Sequence, residues 1–463
     1  MHRPVTPTEF CPLSEVAGRL RAQTRAQLNA SDAPAGLRRA TVVLPPISPL
    51  DWLSRYRGAL RFYGATRDVQ QSLTIGGLDV AHACVWTKPV SYADVFHALA
   101  DHLAAAAPRI RYYGGFRFEP DQTPDADWAA FGVARFIVPR FELITAPQAS
   151  QLSLHWTRDD AETGRLEEAL QRLHSMRFEN ADQPPLFLPP VRRVDQPAYA
   201  GWARNIEAAL TDFEAGRLEK IVLARKAILD FEDEVDPIHL LRRLAVATPE
   251  CYHFCFMPNP GTAFVGASPE RLYFRDQHDL SSEAVAGTRM RSCDPKDDER
   301  LGRELLDSEK DQREHDFVRE GIRSALAPLC EAVEMDQTPR LLKLARGQHL
   351  YSGVEGRLRA GVDDAAILEA LHPTPALGGH PTAAARARIT SLEGFDRGWY
   401  AGPVGWVSRD AAEFAVAIRS GLVHPRKVAL FSGAGIVAGS TAENEWAEIE
   451  LKIRDFIKVL TEG

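Results

Sequence analysis

Glutamates and lysines at helical spacing are the residues of this chain best suited to chemistry. In the segment SEKDQREHDFVREGIRSAL, Val318, Ile322 and Leu326 define an apolar helix face, and Glu314 lies one turn before them. A carboxylate at the edge of a core-facing stripe needs a cation, a metal ion or a proton as its partner. An ion pair with Lys310, one turn earlier, is the simplest alternative.

The last helix repeats this arrangement, because Glu445, Glu448 and Lys452 run along one flank of its apolar side. That apolar side consists of Trp446, Ile449, Ile453, Ile457 and Leu460. Two helices that each direct a glutamate inward can together hold a hard cation such as Mg²⁺, which prefers carboxylate oxygens. Lys452 could then hold an anion that also contacts the metal. A solvated helix flank is the alternative.

Two segments predict turns that could contact a substrate. FVGASPERLYF places the turn 266–269 between two strand-like runs, with Glu270 at the start of the second. FSGAGIVAGS places three glycines, Gly433 among them, in a turn between a strand and the final helix. Backbone N–H groups in such a turn can bind an anion. Both patterns are also common in turns that bind nothing.

Two basic residues lie on predicted strands. In EFAVAIRS, Arg419 shares a strand face with the small residues Ala415 and Ala417, so its guanidinium could bind a ligand carboxylate bidentately. A structural ion pair agrees equally well with this feature. Lys220 begins the strand-like run KIVLAR, where a solvated lysine is the ordinary interpretation.

Hydrophobic periodicity predicts the elements that would position these residues. Helices and strand pairs alternate irregularly, which indicates an α+β fold with mixed or antiparallel sheets. The predicted elements nearest the candidate residues are a helix at 198–215, strands at 220–231 and 413–419, one long helix at 303–329 and a final helix at 444–460.

A proline-rich passage, QPPLFLPPVRRVDQP, predicts a division of the chain, because proline denies backbone donors to helix and sheet. The predicted parts are residues 1–180, a connector at 181–197, and residues 198–463. The first part contains no catalytic spacing, whereas all the candidate residues above lie in the last.

Composition excludes several classes of function. The 463 residues are 45% hydrophobic and 25% charged, which is typical of a soluble globular protein. A net charge of -8, with both signs mixed along the chain, gives no attraction for nucleic acid or an anionic membrane. The six cysteines show no CxxC spacing, and neither a signal peptide nor a membrane-spanning run is apparent. We therefore expect a cytoplasmic protein with reduced thiols.

Ten short segments in a fixed order resemble the chorismate-utilising enzymes, the family of isochorismate, salicylate, anthranilate and aminodeoxychorismate synthases. The resemblance extends from about Leu218 to Leu460. It implies the aminodeoxychorismate synthase-like fold, with large mixed or antiparallel sheets flanked by helices in one α+β unit that residues 1–180 complete. The segments are LEKIVLAR, FVGASPERL, EAVAGTR, LLDSEKDQREH, QHL, LHPTPALGG, FDRGWYAGPVGW, AIRS, SGAGIVAGS and EWAEIELK.

Two positions within the family indicate the reaction. The synthases that add nitrogen usually carry glutamine where this chain has Lys220, and salicylate and anthranilate synthases usually place threonine in or beside the segment that here contains Ala376 and Leu377. The resemblance therefore implies isochorismate synthase chemistry, an isomerisation of chorismate. The alternatives are a salicylate synthase, a nitrogen-adding synthase and a non-catalytic chorismate binder. We expect no glutamine amidotransferase subunit.

The resemblance also implies roles for individual residues. Lys220 would activate a water molecule that attacks C2 of the ring, and Glu270 would protonate the departing C4 hydroxyl. Mg²⁺, held by Glu314 and Glu448 with Glu445 nearby, would bind the ring carboxylate. This chemistry requires an uncharged Lys220 amine and a protonated Glu270 near pH 7.

The remaining implied roles concern binding of the substrate. Arg419, Lys452, Tyr400 and the backbone at Gly433 would bind the enolpyruvyl carboxylate. Gly287 and Thr288 would help to hold the ring carboxylate, and His349 would orient the ring. The product could supply menaquinone, siderophore or salicylate biosynthesis, and the long N-terminal part favours menaquinone.

Overall fold

The computed structural model describes residues 10–30, 36–67, 73–179, 187–345 and 347–461. Within them, none of the helices combines the length and the apolar composition needed to cross a bilayer. The helices are α1 Val16–Asn29, α2 Pro49–Ser54, α3 Tyr92–Ala104, α4 Arg158–Glu162, α5 Arg165–Arg172, α6 Tyr199–Glu214, α7 Pro237–Ala247, α8 Pro295–Asp307, α9 Glu309–Leu326, α10 Asp364–Leu371, α11 Thr382–Leu392 and α12 Ala442–Thr461.

The same residues contain twenty strands. These are β1 Arg38–Leu44, β2 Arg61–Ala65, β3 Thr74–Trp86, β4 Arg111–Phe116, β5 Ala134–Ala146, β6 Ala149–Trp156, β7 Arg192–Gln196, β8 Lys220–Asp230, β9 Tyr252–Asn259, β10 Thr262–Ser268, β11 Arg271–Asp276, β12 Asp279–Met290, β13 Cys330–Met335, β14 Arg340–Lys343, β15 Gly347–Leu358, β16 Gly379–His380, β17 Pro403–Ser408, β18 Ala411–Val416, β19 Ser420–His424 and β20 Lys427–Ile436.

The strands form one continuous antiparallel sheet that divides into two arms at β5. One edge of β5 pairs with β3, and the other pairs with β4 and β6. The first arm continues from β3 through β2, β9, β10, β19, β20 and β8, with β7 and β16 beside β8. The second arm continues from β4 through β17, β18, β11, β12 and β15, with β13 and β14 beside β15. This sheet with its flanking helices confirms the predicted α+β fold.

The largest apolar core contains side chains from both arms and from the helices on them. Phe264 of the first arm and Phe414 of the second are both fully buried there, with Trp399 and with Val318 of α9. Burial of each such side chain contributes roughly 1.5–3 kcal/mol. The two arms and their helices therefore stabilise each other.

The chain crosses between the two arms at two adjacent places, β10 to β11 and β18 to β19. The Val416 N–H donates to the carbonyl of Glu270 at 3.1 Å, and the Ala267 N–H donates to the carbonyl of Arg419 at 3.0 Å. Arg419 has a φ of 49°, in the left-handed region. The predicted strand 413–419 was therefore wrong at its end, because the crossover stops the strand at Val416 and turns Arg419 out of it.

The predicted helix 303–329 was also wrong, because two helices, α8 and α9, occupy it. Ser308 has extended backbone angles, φ -74° and ψ 108°, and its hydroxyl accepts the N–H of Asp311 at 3.3 Å. Such an N-cap ends one helix and begins the next. Periodicity failed to detect the break because the residues on both sides are helical.

The predicted glycine turn of FSGAGIVAGS was wrong for its first half. Gly433 and Gly435 lie inside β20, where they pair with Ala224 and Val222 of β8. Their N–H groups therefore lie in a sheet and not in an open turn. The turn follows the strand, where the Ser440 N–H donates to the Val437 carbonyl at 3.0 Å.

Strands from residues before 180 pair directly with strands from residues after 198. β2 pairs with β9, and β4 pairs with β17. Of the predicted connector at 181–197, residues 181–186 lie outside the described part, and residues 192–196 form β7 on the edge of β8. The two ends of the chain therefore build one sheet.

Candidate active site

Lys220 forms an ion pair with Glu314, whose side chain is 31% exposed. Lys220 is the first residue of β8 and only 5% exposed, so the solvated interpretation of this lysine was wrong. Its Nζ donates to Oε1 of Glu314, on α9, at 3.1 Å. A Cβ at Gly435 would lie 3.1 Å from Cε of Lys220 and 3.5 Å from Oε1 of Glu314. Glycine in β20 therefore leaves room for this pair.

Glu270 lies in the crossover between β10 and β11 and is 6% exposed. Burial and the nearby charge of Glu283 raise the pKa of Glu270 to about 8, although the charges of Arg67, Lys220 and Lys452 act in the opposite direction. The carboxyl group therefore keeps its proton at pH 7. The charges of Lys220 and Lys452, the two lysines that the resemblance placed in the site, both act on this carboxyl group.

Glu283 and Arg67 are neighbours of this site that the sequence analysis missed. Two hydrogen bonds, of 2.8 Å and 2.6 Å, join the Arg67 guanidinium to the Glu283 carboxylate. Arg67 also donates to the carbonyl of Pro269, and the N–H of Arg271 donates to Glu283 at 2.6 Å. The segment EAVAGTR, which begins with Glu283, was a usable signal. Arg67 had none, because it lies in a part of the chain without recognisable motifs.

Three residues of α12 border the same site. Nζ of Lys452 donates to the Gly433 carbonyl at 2.8 Å and pairs with Glu448 at 2.6 Å. Glu445 is buried, and its burial and the charge of Glu448 raise its pKa. For Glu448, burial acts in the same direction, but the charge and hydrogen bond of Lys452 outweigh it and hold the pKa below its usual value.

Glu314, Glu445 and Glu448 supply the oxygen donors that suit a hard divalent cation. They come from two helices, as predicted, and the charge of Lys310 on α9 acts on both glutamates of α12. Within the described residues, the three carboxylates do not form a group whose oxygens all lie within 4.8 Å of one another. Instead, Glu314 pairs with Lys220 and Glu448 pairs with Lys452. A metal ion bound by these carboxylates would replace the two lysines as their charge partners.

Arg419, Lys452, Tyr400 and Gly433 lie together beside these groups. Nη1 of Arg419 donates to the Lys452 carbonyl at 3.1 Å. Tyr400 is buried and stacks on Phe431 with 5.3 Å between the ring centroids. A Cβ at Gly433 would lie 3.0 Å from the Tyr400 hydroxyl oxygen. The structure therefore brings together all four residues that were predicted to bind one substrate carboxylate.

His349 of β15 faces Gly287 and Thr288 of β12. Its Nδ1 lies 3.2 Å from the Gly287 carbonyl oxygen and 3.0 Å from Oγ1 of Thr288. Gly287, with a φ of 69°, is the extra residue of a bulge in this strand pair. Burial and the charges of Arg419 and Lys452 lower the pKa of His349 to about 3. The imidazole is therefore neutral at pH 7.

The side chain of Leu377 belongs to the apolar core, as that of Tyr400 does, and Ala376 packs against this core. Ala376 and Leu377 precede β16, which pairs with Lys220 and the next residue of β8. The Leu377 carbonyl accepts a hydrogen bond of 3.3 Å from Arg397, which also donates to the Val222 carbonyl of β8 at 2.7 Å. These two residues therefore support the strand that begins with Lys220. Within the described part of the chain, neither of them forms a hydrogen bond with Glu270.

A separate apolar pocket lies between strands of the two arms, and none of the predicted site residues lines it. Its lining includes Phe62, Tyr113, Phe256 and one carboxylate, Glu413. A pocket with so little charge is poorly suited to a small dianion. The cluster around Lys220 and Glu270 therefore remains the candidate active site.

Comparison with known proteins identifies the family of the chain. The signature of the family described as chorismate binding enzymes matches residues 23–461. The chain is 37% identical to isochorismate synthase 2 of Arabidopsis thaliana over 383 residues, which are 80% of this chain and 68% of that protein. It is 29% identical to isochorismate synthase MenF of Haemophilus influenzae, over 97% of both chains.

A solved structure extends the likeness to the whole fold. The menaquinone-specific isochorismate synthase MenF of Escherichia coli superposes with a TM-score of 0.84 at 28% identity, over 96% of this chain and 100% of that one. Because it covers 96% of this chain, the match includes most of the N-terminal part, which lacks the family motifs. The chain belongs to the chorismate-binding enzymes, the family that its ordered motifs predicted.

Proposed function

We propose that this enzyme is an isochorismate synthase that converts chorismate to isochorismate with Mg²⁺ as its cofactor. The observation that carries the proposal is a carboxyl group that keeps its proton at pH 7, Glu270, in the same buried environment as the amine of Lys220. An acid and a base with separated proton affinities are what an exchange of one hydroxyl for another requires.

In the proposed reaction, Lys220 accepts a proton from the water molecule that forms the new C2–O bond. The ring double bonds shift, and the C4–O bond breaks as Glu270 donates its proton to the departing hydroxyl. One water molecule enters and one leaves, so substrate and product have the same composition. A proton passes from Lys220 back to Glu270 to complete the cycle.

The ion pair between Lys220 and Glu314 sets a condition on this reaction. A charged lysine cannot act as a base, and Nζ of Lys220 lies 3.1 Å from a carboxylate oxygen of Glu314. Glu314 and Glu448, with Glu445 nearby, would hold Mg²⁺, which would neutralise the ring carboxylate and draw electron density toward it. Glu314 would then have a partner other than Lys220.

Chorismate carries two carboxylates, and a few cationic side chains of the site could bind them. A large positive surface is not needed for this. Arg419 and Lys452 lie beside each other, and the Tyr400 hydroxyl lies close to Gly433 of β20. A neutral His349 can orient a ring by a hydrogen bond without adding charge. These residues would hold the substrate with C2 and C4 between Lys220 and Glu270.

The similarity over nearly full length to the two MenF enzymes supports the menaquinone branch as the destination of the product. Siderophore and salicylate biosynthesis are the alternatives.

The direct test is to incubate the purified protein with chorismate and Mg²⁺ and to separate the products by chromatography. We expect isochorismate, which disappears with a chelator and returns when Mg²⁺ is added. Salicylate with pyruvate would instead identify a salicylate synthase, and an ammonia-dependent amino product would identify a nitrogen-adding enzyme. Absence of turnover would leave a chorismate binder.

Variants test the roles within this function. Lys220→Gln and Glu270→Gln should each lower kcat by about 10²–10⁴-fold, the usual contribution of a general acid or base, and leave the fold intact. Lys226→Gln is the matched control, because Lys226 is also a buried lysine of β8 but pairs with Asp127. Substantial isochorismate formation by Lys220→Gln or Glu270→Gln would contradict the assigned roles.

A further inference from the structure

A cluster of two histidines and a cysteine lies on elements that carry none of the residues of the candidate active site. His82 and Cys84 belong to β3, and His102 lies in the last turn of α3. One ligand atom from each residue lies within 4.8 Å of the other two, and no other such group of three occurs among the described residues. The thiol of Cys84 is free and half-buried.

The local structure explains why these side chains converge. A register shift in the pairing with β5 falls between Val80 and His82. After this irregularity the strand alternates, so that His82 and Cys84 face inward and Ala83 between them faces solvent. The ring centroids of His82 and His102 are 4.6 Å apart, and Sγ of Cys84 lies 3.9 Å from Nδ1 of His82.

We propose that His82, Cys84 and His102 bind a transition-metal ion of the zinc class. Imidazole nitrogen and thiolate sulfur are the donors that Zn²⁺ and Co²⁺ accept, whereas Mg²⁺ selects oxygen. Tetrahedral bonding places nitrogen and sulfur ligands roughly 3.3–3.6 Å apart. The 3.9 Å separation of Sγ and Nδ1 therefore needs a contraction of only a few tenths of an ångström.

The remaining adjustment falls on His102, whose side chain is exposed near the end of its helix. The buried hydroxyl of Tyr112 lies 2.9 Å from the same Nδ1 of His82, so binding of the ion by this nitrogen would replace that hydrogen bond. Three protein ligands leave a fourth position for water. The bound ion would join α3 to β3, and the site is independent of the proposed isochorismate synthesis.

The test uses Co²⁺ and then Zn²⁺ on the full chain after treatment with a chelator. We expect one equivalent of Co²⁺ to produce the near-ultraviolet charge-transfer absorption of a thiolate–cobalt bond, and Zn²⁺ to displace it. Co²⁺ bound by the carboxylates of the active site gives no such absorption, because the ligand atoms there are oxygens. Zn²⁺ should also raise the unfolding temperature of the chain.

Three variants make the assignment specific. Cys84→Ser should abolish the charge-transfer absorption, and His102→Ala should weaken Co²⁺ binding at least tenfold without disturbing the buried strand. Cys293→Ser is the matched control, because Cys293 is an exposed thiol outside the cluster, and it should leave the absorption unchanged. Absence of the absorption in the unmodified chain, its persistence in Cys84→Ser or its loss in Cys293→Ser would overturn the proposal.

Discussion

Glu270 illustrates how burial and a neighbouring charge prepare a single residue for chemistry. An isolated glutamate is ionised at pH 7, and a buried one in water-free surroundings holds its proton more tightly. The carboxylate of Glu283 adds to this effect, and Arg67 moderates it by pairing with Glu283. The acid therefore depends on two residues that we do not expect to touch the substrate.

Replacing the acid of Glu270 by an amide should stabilise the fold while it removes activity. The pKa of an ordinary glutamate is 4.5, and the raised pKa of Glu270 is about 8. At a pH between these two values, the unfolded chain has released the Glu270 proton and the folded chain still holds it. As the pH rises through that range, the free energy of unfolding of the wild-type protein should fall relative to that of Glu270→Gln by roughly 1.4 kcal/mol per pH unit. Above pH 8 it should fall no further. Urea unfolding of both proteins at pH 5, 7 and 9 measures the difference.

Glu219→Gln provides the comparison for this measurement, because Glu219 is an exposed carboxylate next to Lys220. The stability of this variant over the same pH values shows what removal of a surface carboxylate contributes by itself. A difference between Glu270→Gln and the wild type that does not change with pH would show that Glu270 is ionised in the folded state.

Removing the charge of Arg67 should shift the alkaline limb of the kcat/KM profile to higher pH. The Arg67 charge lowers the pKa of Glu270, so Arg67→Met should let Glu270 keep its proton to a higher pH. The pH dependence of kcat/KM measures this shift. Arg172→Met, which removes an arginine paired with Asp79, should leave the limb in place. A shift to lower pH would contradict the assigned coupling.

At the scale of elements, two glycines of β20 shape the site because they have no side chains. Gly433 and Gly435 face Tyr400 and Lys220 across the strand, and any Cβ at these positions would compress the side chains that approach. A strand gains nothing from glycine in its own right, because glycine weakens a sheet. The two glycines are therefore best explained by the close approach of the functional groups.

Substitution of Gly435 should impair catalysis more than stability. Gly435→Ala places a methyl group 3.1 Å from Cε of Lys220, so the lysine has to move. We expect kcat to fall at least tenfold while the urea midpoint changes little, because the far end of a long side chain can shift. Gly18→Ala in α1, where a Cβ meets nothing within 4 Å, is the control. Unchanged kcat in Gly435→Ala would contradict a fixed position for Lys220.

At the scale of the whole molecule, the N-terminal residues build the sheet on which the site depends. β2 covers the edge of β9, and β4 covers the edge of β17. Arg67, just after β2, reaches the carbonyl of Pro269 beside the acid. A chain without these residues would have two exposed strand edges and an open core.

Expression of residues 198–463 alone should therefore yield a protein that does not fold cooperatively. We expect no sharp urea transition by circular dichroism and no isochorismate, because the apolar core includes side chains of β4 and α3. The full chain under identical conditions is the reference. A cooperative transition together with turnover in the fragment would show that the C-terminal part is autonomous.

The sequence by itself determined the family, the residue types that carry the chemistry and most of the elements. Glu314 was correctly placed at the edge of the α9 stripe, because a helix face depends only on spacings of three and four residues. The family motifs also led to Glu270 and Lys220, which the structure places in one electrostatic environment.

Only the tertiary structure decided which groups are partners. The left-handed backbone at Arg419, the break at Ser308 and the strand conformation of Gly433 depend on crossovers, caps and pairings that apolar periodicity does not record. The contact of Arg67 with Glu283 joins residues 216 positions apart. Such contacts arise where the two arms of the sheet meet, and local sequence carries no information about which distant strand will lie alongside.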